Sequence, residues 1–290
     1  MGQIANAITS FDLSSTLSFL STSPSKSCRP RARARDIIVP FSNVYRENIL
    51  AKLANGMPAI IIPPDLLADW GTHWHAVAGA PNVSAAQAFN KKQGMDFGKV
   101  FDNVVGVALS TMLGGIQVVV PSSTALIPSQ SDCVEVGPVR IVGGIRPQNY
   151  DVAYRPDGIR IAYDSKTLND SKSIGKNWQN MINDLATEAS TVHTRFPYAI
   201  VAFIVAVPET ALSASQATAL IRTLERLATR EHVRDEAHLA ETIAFVVWNP
   251  LTGVISNTIP PASSHIHLDN FSPTLYKRYN ERYKGLPPHD

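Results

Sequence analysis

Asp151, Asp164 and Lys166 are the residues whose types and spacing could act together on one substrate. Residues 148–154, a turn at 155–158 and residues 159–166 read as strand, turn, strand. With that turn, Tyr154 faces Ile159, Val152 faces Ile161 and Tyr150 faces Tyr163, and this shared face is apolar. The other face carries Asp151, Ala153, Arg160, Ala162, Asp164 and Lys166. A one-residue slip would mix the two sets, so the pattern selects this register. Asp151 then lies opposite Ala162 and diagonal to Asp164, with backbones roughly 7–8 Å apart. Two carboxylates converging from that separation can share a divalent cation through oxygens at about 2.0–2.6 Å. Lys166 follows on the same face, ~6–7 Å along the strand from Asp164. In a hydrolase the metal would polarise a phosphoryl oxygen and activate water, and the ammonium would orient that water or stabilise developing charge.

The surrounding elements must hold these groups in place. Residues 95–113 read as a helix, with Phe97, Val100, Phe101, Val104, Val107, Ala108 and Leu113 at helical spacing and Gly114-Gly115 as its stop. Residues 43–55 read as a shorter helix stopped by Gly56, and 59–62 as an apolar run closed by Pro63-Pro64. Residues 65–94 carry no firm pattern. Residues 116–120 are β-branched and read as a strand, followed by a turn-rich stretch to about Pro147. After the hairpin come a helix over 173–191 and an apolar run over 198–207 suited to a strand buried on both faces. An amphipathic helix over 213–230 follows, with Ser213 as N-cap, and then a strand over 242–248. This order predicts an α/β fold with a central mixed sheet flanked by helices.

The composition bounds the possibilities. With 290 residues, an apolar fraction of 44% and 17% charged, the chain can bury a substantial core and is not wholly disordered. No window approaches the ~18 apolar residues of a membrane span, so no membrane partner is expected. Two distant cysteines, Cys28 and Cys133, exclude a disulfide scaffold and a Cys-rich zinc module. The expectation is a soluble, intracellular protein. Lys and Arg number 26 against 24 Asp and Glu, which argues against nonspecific coating of nucleic acid but not against a local basic surface. Bases gather at 26–35, 160–176 and 277–284, while 225–241 is rich in acids. Residues 1–36 are Ser/Thr-rich and end in alternating arginines. They read as a solvated leader, a transit peptide or an arm that tracks a phosphate backbone.

Asp151 followed by Asp164-Ser165-Lys166 resembles the motif of the PD-(D/E)XK nuclease superfamily, and the layout is most similar to type II restriction endonucleases. The literal Pro156-Asp157 is a decoy, because the hairpin tip lies about 23 Å from Asp164 along the strand. Gly98 to Val105 resembles the first core helix of that family, and Asp102 stands where an acid near the metal is expected, Asp rather than the commoner Glu. The following helix, with Lys172, Lys176, Asn177, Gln179 and Asn180, resembles the region that contacts DNA. The resemblance covers about residues 95–250 and implies a restriction-endonuclease-like core. It divides the chain into a leader or arm over 1–36 and a single nuclease domain over 37–290. It further implies Mg²⁺ held by Asp151 and Asp164, Lys166 positioning the attacking water, and Asp102 as an outer ligand. The implied substrate is double-stranded DNA, cut by a homodimer in the bacterial cytoplasm.

Three other readings stay open. One is a structure-specific repair or recombination nuclease, and another a non-catalytic DNA-binding protein on the same scaffold. The third is a metal hydrolase built on His73-Trp74-His75 or His265-Ile266-His267. Asn177-Trp178 reads as DNA-facing or, through its Trp, as core. The Tyr276 to Lys284 stretch interleaves bases with aromatics and reads either as a base-stacking surface or as an exposed amphipathic helix.

Overall fold

The computed structural model describes residues 53–76, 87–122, 124–130, 132–172 and 174–289. The leader over 1–36, Cys28 and most of the helix expected over 43–55 lie outside them, as do the side chain of His75 and all of Ser173. The described residues form an α/β fold built on one six-stranded mixed sheet flanked by helices.

The strands lie in chain order: β1 (Gln117–Val119), β2 (Cys133–Val142), β3 (Pro147–Tyr154), β4 (Ile161–Thr167), β5 (Ile200–Pro208) and β6 (Thr242–Trp248). β2, β3 and β4 form an antiparallel meander, whereas β1 runs parallel to β2 and β4, β5 and β6 run parallel to one another. Helices α3 (Ile174–His193) and α4 (Ala214–Leu227) make the two crossovers that parallel strands require. α2 (Lys91–Met112) precedes the meander, and α5 (Leu268–Tyr283) follows β6.

Every residue of β5 and β6 is buried, because both faces of the sheet are covered. On one face Phe97, Phe101 and Val105 of α2 and Leu275 and Tyr279 of α5 pack on Val152, Tyr154, Ile161, Tyr163, Ile204 and Val246. On the other, Met181, Leu185 and Val192 of α3 and Leu220 and Leu224 of α4 pack on Ala153, Ala162, Val201, Phe203, Val205 and Val247. α2 lies very close to the sheet. A methyl at Gly106 would stand 2.3 Å from Val136 Cγ2, so only hydrogen fits there.

The sequence pattern locates most of these elements. α2 starts four residues earlier than expected because Asn90 and Gln93 close a reciprocal capping box. Ser213 caps α4 in the same way with Gln216. Two elements differ from expectation. α1 (Pro64–Ala76) occupies part of the unassigned stretch, with Pro64 at its first position and Asp65 in its first turn. β2 occupies part of the turn-rich stretch. Gly137 and Pro138 interrupt its alternation, and they sit at a bulge between Val136 and Val139, where a strand tolerates proline.

The hairpin register also differs. Tyr154 pairs with Ile161, and Ala153 with Ala162, a shift of two residues from the expected pairing. The connection is six residues long, 155–160, and Arg160 N–H donates to Tyr154 O at 3.0 Å across its base. Charge holds it open. Arg155 grips Glu135 with Nε and Nη2 at 2.5 and 2.9 Å, and Arg160 grips Asp157 with Nε at 2.9 Å. A shift of two keeps each side chain of the pair on its own face. The expected apolar face nevertheless fails at its ends. Tyr150 and Ile159 pack into the α3 layer, and Ala153 and Ala162 on the supposed polar face are buried there too.

Candidate active site

The two-residue shift changes how the acids meet. Continuing the register past Val152–Tyr163 would put Asp151 opposite Asp164 rather than diagonal to it, but the pairing ends there. The backbones separate at that point, and the Asp151 side chain fills the gap. Its Oδ2 accepts Ser165 N–H at 3.0 Å and the Ser165 hydroxyl at 3.1 Å.

Groups from both helical layers converge on this gap. Lys166 Nζ donates to Asp164 Oδ2 on its own strand and to Glu188 Oε1 of α3 at 2.8 Å. Gln148 Nε2 of β3 donates to the same Glu188 oxygen at 3.0 Å, and the Tyr150 hydroxyl donates to Glu188 O at 2.8 Å. Asp102 arrives from α2, on the other side of the sheet, and interacts with Asp151, Ser165 and Lys166. α2 comes this near because residue 98 is glycine. A methyl there would lie 3.1 Å from Ser165 Oγ.

Burial raises the proton affinity of Asp102, Asp151 and Asp164. Asp164 and Asp102 are each 6% exposed and Glu188 is 3% exposed. Burial and then the charge of Asp151 push Asp102 up to about 8, against the pull of the Ser165 hydroxyl. Burial, reinforced by the hydrogen bond and charge of Asp164, pushes Asp151 up to about 8. Asp164 rises only to about 6, because the hydrogen bond from Asp151 and the charge of Lys166 offset part of its burial. Burial opposes the Lys166 charge, but Asp164 and Glu188 outweigh it and hold the ammonium above the ordinary lysine value. Asp102 and Asp151 thus hold their protons more strongly than Asp164, while the lysine keeps its own.

The donor set is all oxygen, which suits a hard divalent cation such as Mg²⁺. Asp102 Oδ1 and Glu188 Oε2 are buried with no hydrogen-bond partner, an arrangement that leaves them free to accept from a ligand. Among the described residues, no three His, Cys, Asp or Glu side chains are already arrayed around one point. Mg²⁺ does not require that, since it keeps several waters and takes one or two carboxylates. Asp151 and Asp164, a hydrogen bond apart, fit this pattern, with Asp102 across the gap.

The remaining expected residues fall in three groups. Lys172, Lys176, Asn177, Gln179 and Asn180 are all exposed at the start of α3 or just before it. A cleft of about 230 Å³ lies beside them, lined by Asn90, Lys91, Gly94, Thr167, Asn169 and Asn177 among others. Asp157 is held at the hairpin tip by Arg160, away from the acids. Other motifs have structural roles. Trp178 packs against the α3-side core. Trp74 is buried and donates to Asn169 O at 2.6 Å, and His267 caps α5. Tyr279 and Tyr283 are core residues, Arg278 pairs with Glu231 and Arg282 with Glu241.

Glu188, Ser165 and Gln148 join the site without having been singled out by spacing. For Glu188 a signal existed. It falls at helical phase with Met181, Leu185 and Val192, so it is a carboxylate on an apolar stripe. Comparison of the chain with protein-family models, with curated proteins and with solved structures gave no match.

Proposed function

We propose that the protein is a Mg²⁺-dependent endonuclease that hydrolyses phosphodiester bonds of double-stranded DNA, a sequence-specific enzyme of the type II restriction kind. One observation carries this reading: two carboxylates, Asp151 half-buried and Asp164 buried, meet across a parted strand pair with Lys166 beside them. The order of α2, the β2–β4 meander, α3 and parallel β5 supports a restriction-endonuclease-like core.

In this reading Asp151 and Asp164 hold the cation and Asp102 supports it from α2. Mg²⁺, when bound, supplies Lewis acidity to the scissile phosphate and its attacking water. Lys166 keeps its proton, so its ammonium is a donor that orients the water and offsets negative charge building on the phosphate. Lys172 and Lys176 offer phosphate contacts at the rim, and Asn177, Gln179 and Asn180 offer amides to the DNA. A palindromic target would be matched by a two-fold homodimer.

Incubation of supercoiled plasmid with the protein and Mg²⁺, beside Asp164→Ala and Lys166→Ala, tests the reading. Discrete fragments from the wild type and none from the variants are expected. Undiminished cutting by both variants would overturn the site assignment. Binding without cutting would make the fold a DNA-binding scaffold.

A further inference from the structure

Lys166 has two carboxylate partners, and one of them has a second task. Asp151 and Asp164, if they held a divalent cation, would have less of the Asp164 carboxylate to offer Lys166, and the added charge would repel the ammonium. A lysine held by Asp164 alone would then swing on its flexible stem toward solvent, since its side chain is still 22% exposed. Glu188 also bears on Asp164, but other groups hold it in place. It stands on α3, and its Oε1 lies 2.8 Å from Lys166 Nζ. Gln148 Nε2 fixes that same oxygen from β3, and the Tyr150 hydroxyl pins the backbone at Glu188 O. The position is costly for packing. The stripe of Met181, Leu185 and Val192 would suit a leucine, and the buried Oε2 has no partner.

We propose that Glu188 is the positioning residue that retains Lys166 in the site when Asp164 turns to the cation. This rests on the nuclease reading for its catalytic meaning, but the geometry can be probed without DNA. The acids facing Lys166 come from every packed element: Asp164 on its own strand, Asp102 on α2 and Glu188 on α3, with Asp151 beside Asp164 on β3.

The test compares wild type, Glu188→Gln and Glu188→Asp. The first readout is the rate at which an amine-acetylating reagent modifies Lys166, followed by peptide mass spectrometry with and without Mg²⁺ alone. Wild-type Lys166 is expected to stay protected in both conditions. In Glu188→Gln it is expected to stay protected without Mg²⁺, where Asp164 still holds it, and to react severalfold faster with Mg²⁺. Glu188→Asp keeps the charge one methylene short and is expected between the two. It carries the same comparison should the neutral variant fold poorly. The second readout is plasmid cleavage. Loss of a group that orients a reacting residue costs about 10–100-fold, here expected in kcat with KM and the Mg²⁺ half-saturation unchanged. Equal protection of Lys166 in all three proteins would overturn the proposal. So would loss of Mg²⁺ affinity in step with kcat, which would make Glu188 a ligand. A wild type that cuts no DNA would refute the nuclease reading, whereas Mg²⁺-dependent exposure of Lys166 in Glu188→Gln would still uphold the clamp.

Discussion

Replacing Asp151 with asparagine should stabilise the metal-free protein, and more so at higher pH. Asp151 titrates at about 8 in the folded chain against 3.8 for an ordinary aspartate, chiefly because it is buried and then because Asp164 faces it. An acid raised in this way binds more protons folded than unfolded. Its contribution is therefore favourable below about pH 4 and is lost as the pH rises toward 8. About four units at about 1.4 kcal/mol each cap the cost near ~5 kcal/mol at pH 8. Relaxation and water entry remove about half of that, leaving ~2–3 kcal/mol. Asparagine keeps the shape, and its Oδ1 still accepts from Ser165 N–H and Oγ–H, so no buried donor is orphaned. For a domain of this size the gain corresponds to about 4–12 °C in melting temperature. At pH 5 the wild-type carboxyl is largely protonated when folded, and the gain shrinks below about 1 kcal/mol. Thermal melts followed by circular dichroism at pH 5 and pH 8, with and without Mg²⁺, measure all of this. Mg²⁺ should raise the wild-type melting temperature at pH 8 and leave Asp151→Asn unmoved. An Asp151→Asn protein that melts at or below wild type at pH 8, or gains equally at both pH values, would refute the reasoning.

Two further outcomes follow from other parts of the molecule. Lys172→Ala with Lys176→Ala removes two exposed cations at the start of α3. If each neutralises one phosphate, the slope of log affinity for duplex DNA against log salt falls by about 1.8 in filter-binding titrations, and an unchanged slope would place the DNA elsewhere. Glu241 is buried among Arg282 Nη1 at 2.8 Å, Arg230 Nε at 3.1 Å, His193 Nε2 at 3.2 Å and Val201 N–H at 2.7 Å. Burial alone would raise its proton affinity, but His193, Arg282 and Val201 N–H outweigh it and hold the carboxyl below the usual value. Its stabilisation is present above the ordinary glutamate value and is lost as the pH falls through the depressed one. Glu241→Gln leaves two buried arginines uncompensated and should cost about 3–5 kcal/mol. Urea unfolding at neutral pH would show this, and a loss under about 1 kcal/mol would mean the cluster is wetter than its burial suggests.

What the sequence made legible follows from how locally each feature is encoded. α2, α4, β5 and β6 rest on periodicity and caps within their own residues, so the Phe97 to Leu113 spacing, Ser213 and the run before Pro208 place them, with only the Asn90 start of α2 missed. β2 is not local. It pairs with β3 across a bulge at Gly137-Pro138, and only the partner strand explains why a proline is tolerated there. The hairpin register failed for a related reason. Arg155 reads as a turn residue and Arg160 as a strand residue until Glu135 and Asp157 are known to hold both in a longer connection. The acids and the lysine were legible because strand parity survives a shift of two. Glu188 was not, because a single off-pattern residue on a helix carries no address for its partner.

The parting of β3 and β4 explains why chemistry could arise at this point of the sheet. β4 pairs with β5 through seven residues, 161–167, but with β3 only through three, 161–163. A buried backbone N–H left by such a split must find an acceptor. Ser165 N–H finds the Asp151 carboxylate. An intact pair of strands would wall off the α2 layer from the α3 layer. The split lets Asp102 from one side bear on Asp151 and Glu188 from the other bear on Asp164. Asp151 therefore serves two ends: it closes the hydrogen-bond deficit that keeps the gap open, and it supplies one of the acids inside it. Asparagine preserves the first and removes the second, whereas alanine removes both. Asp151→Ala should accordingly lose the stability that Asp151→Asn gains.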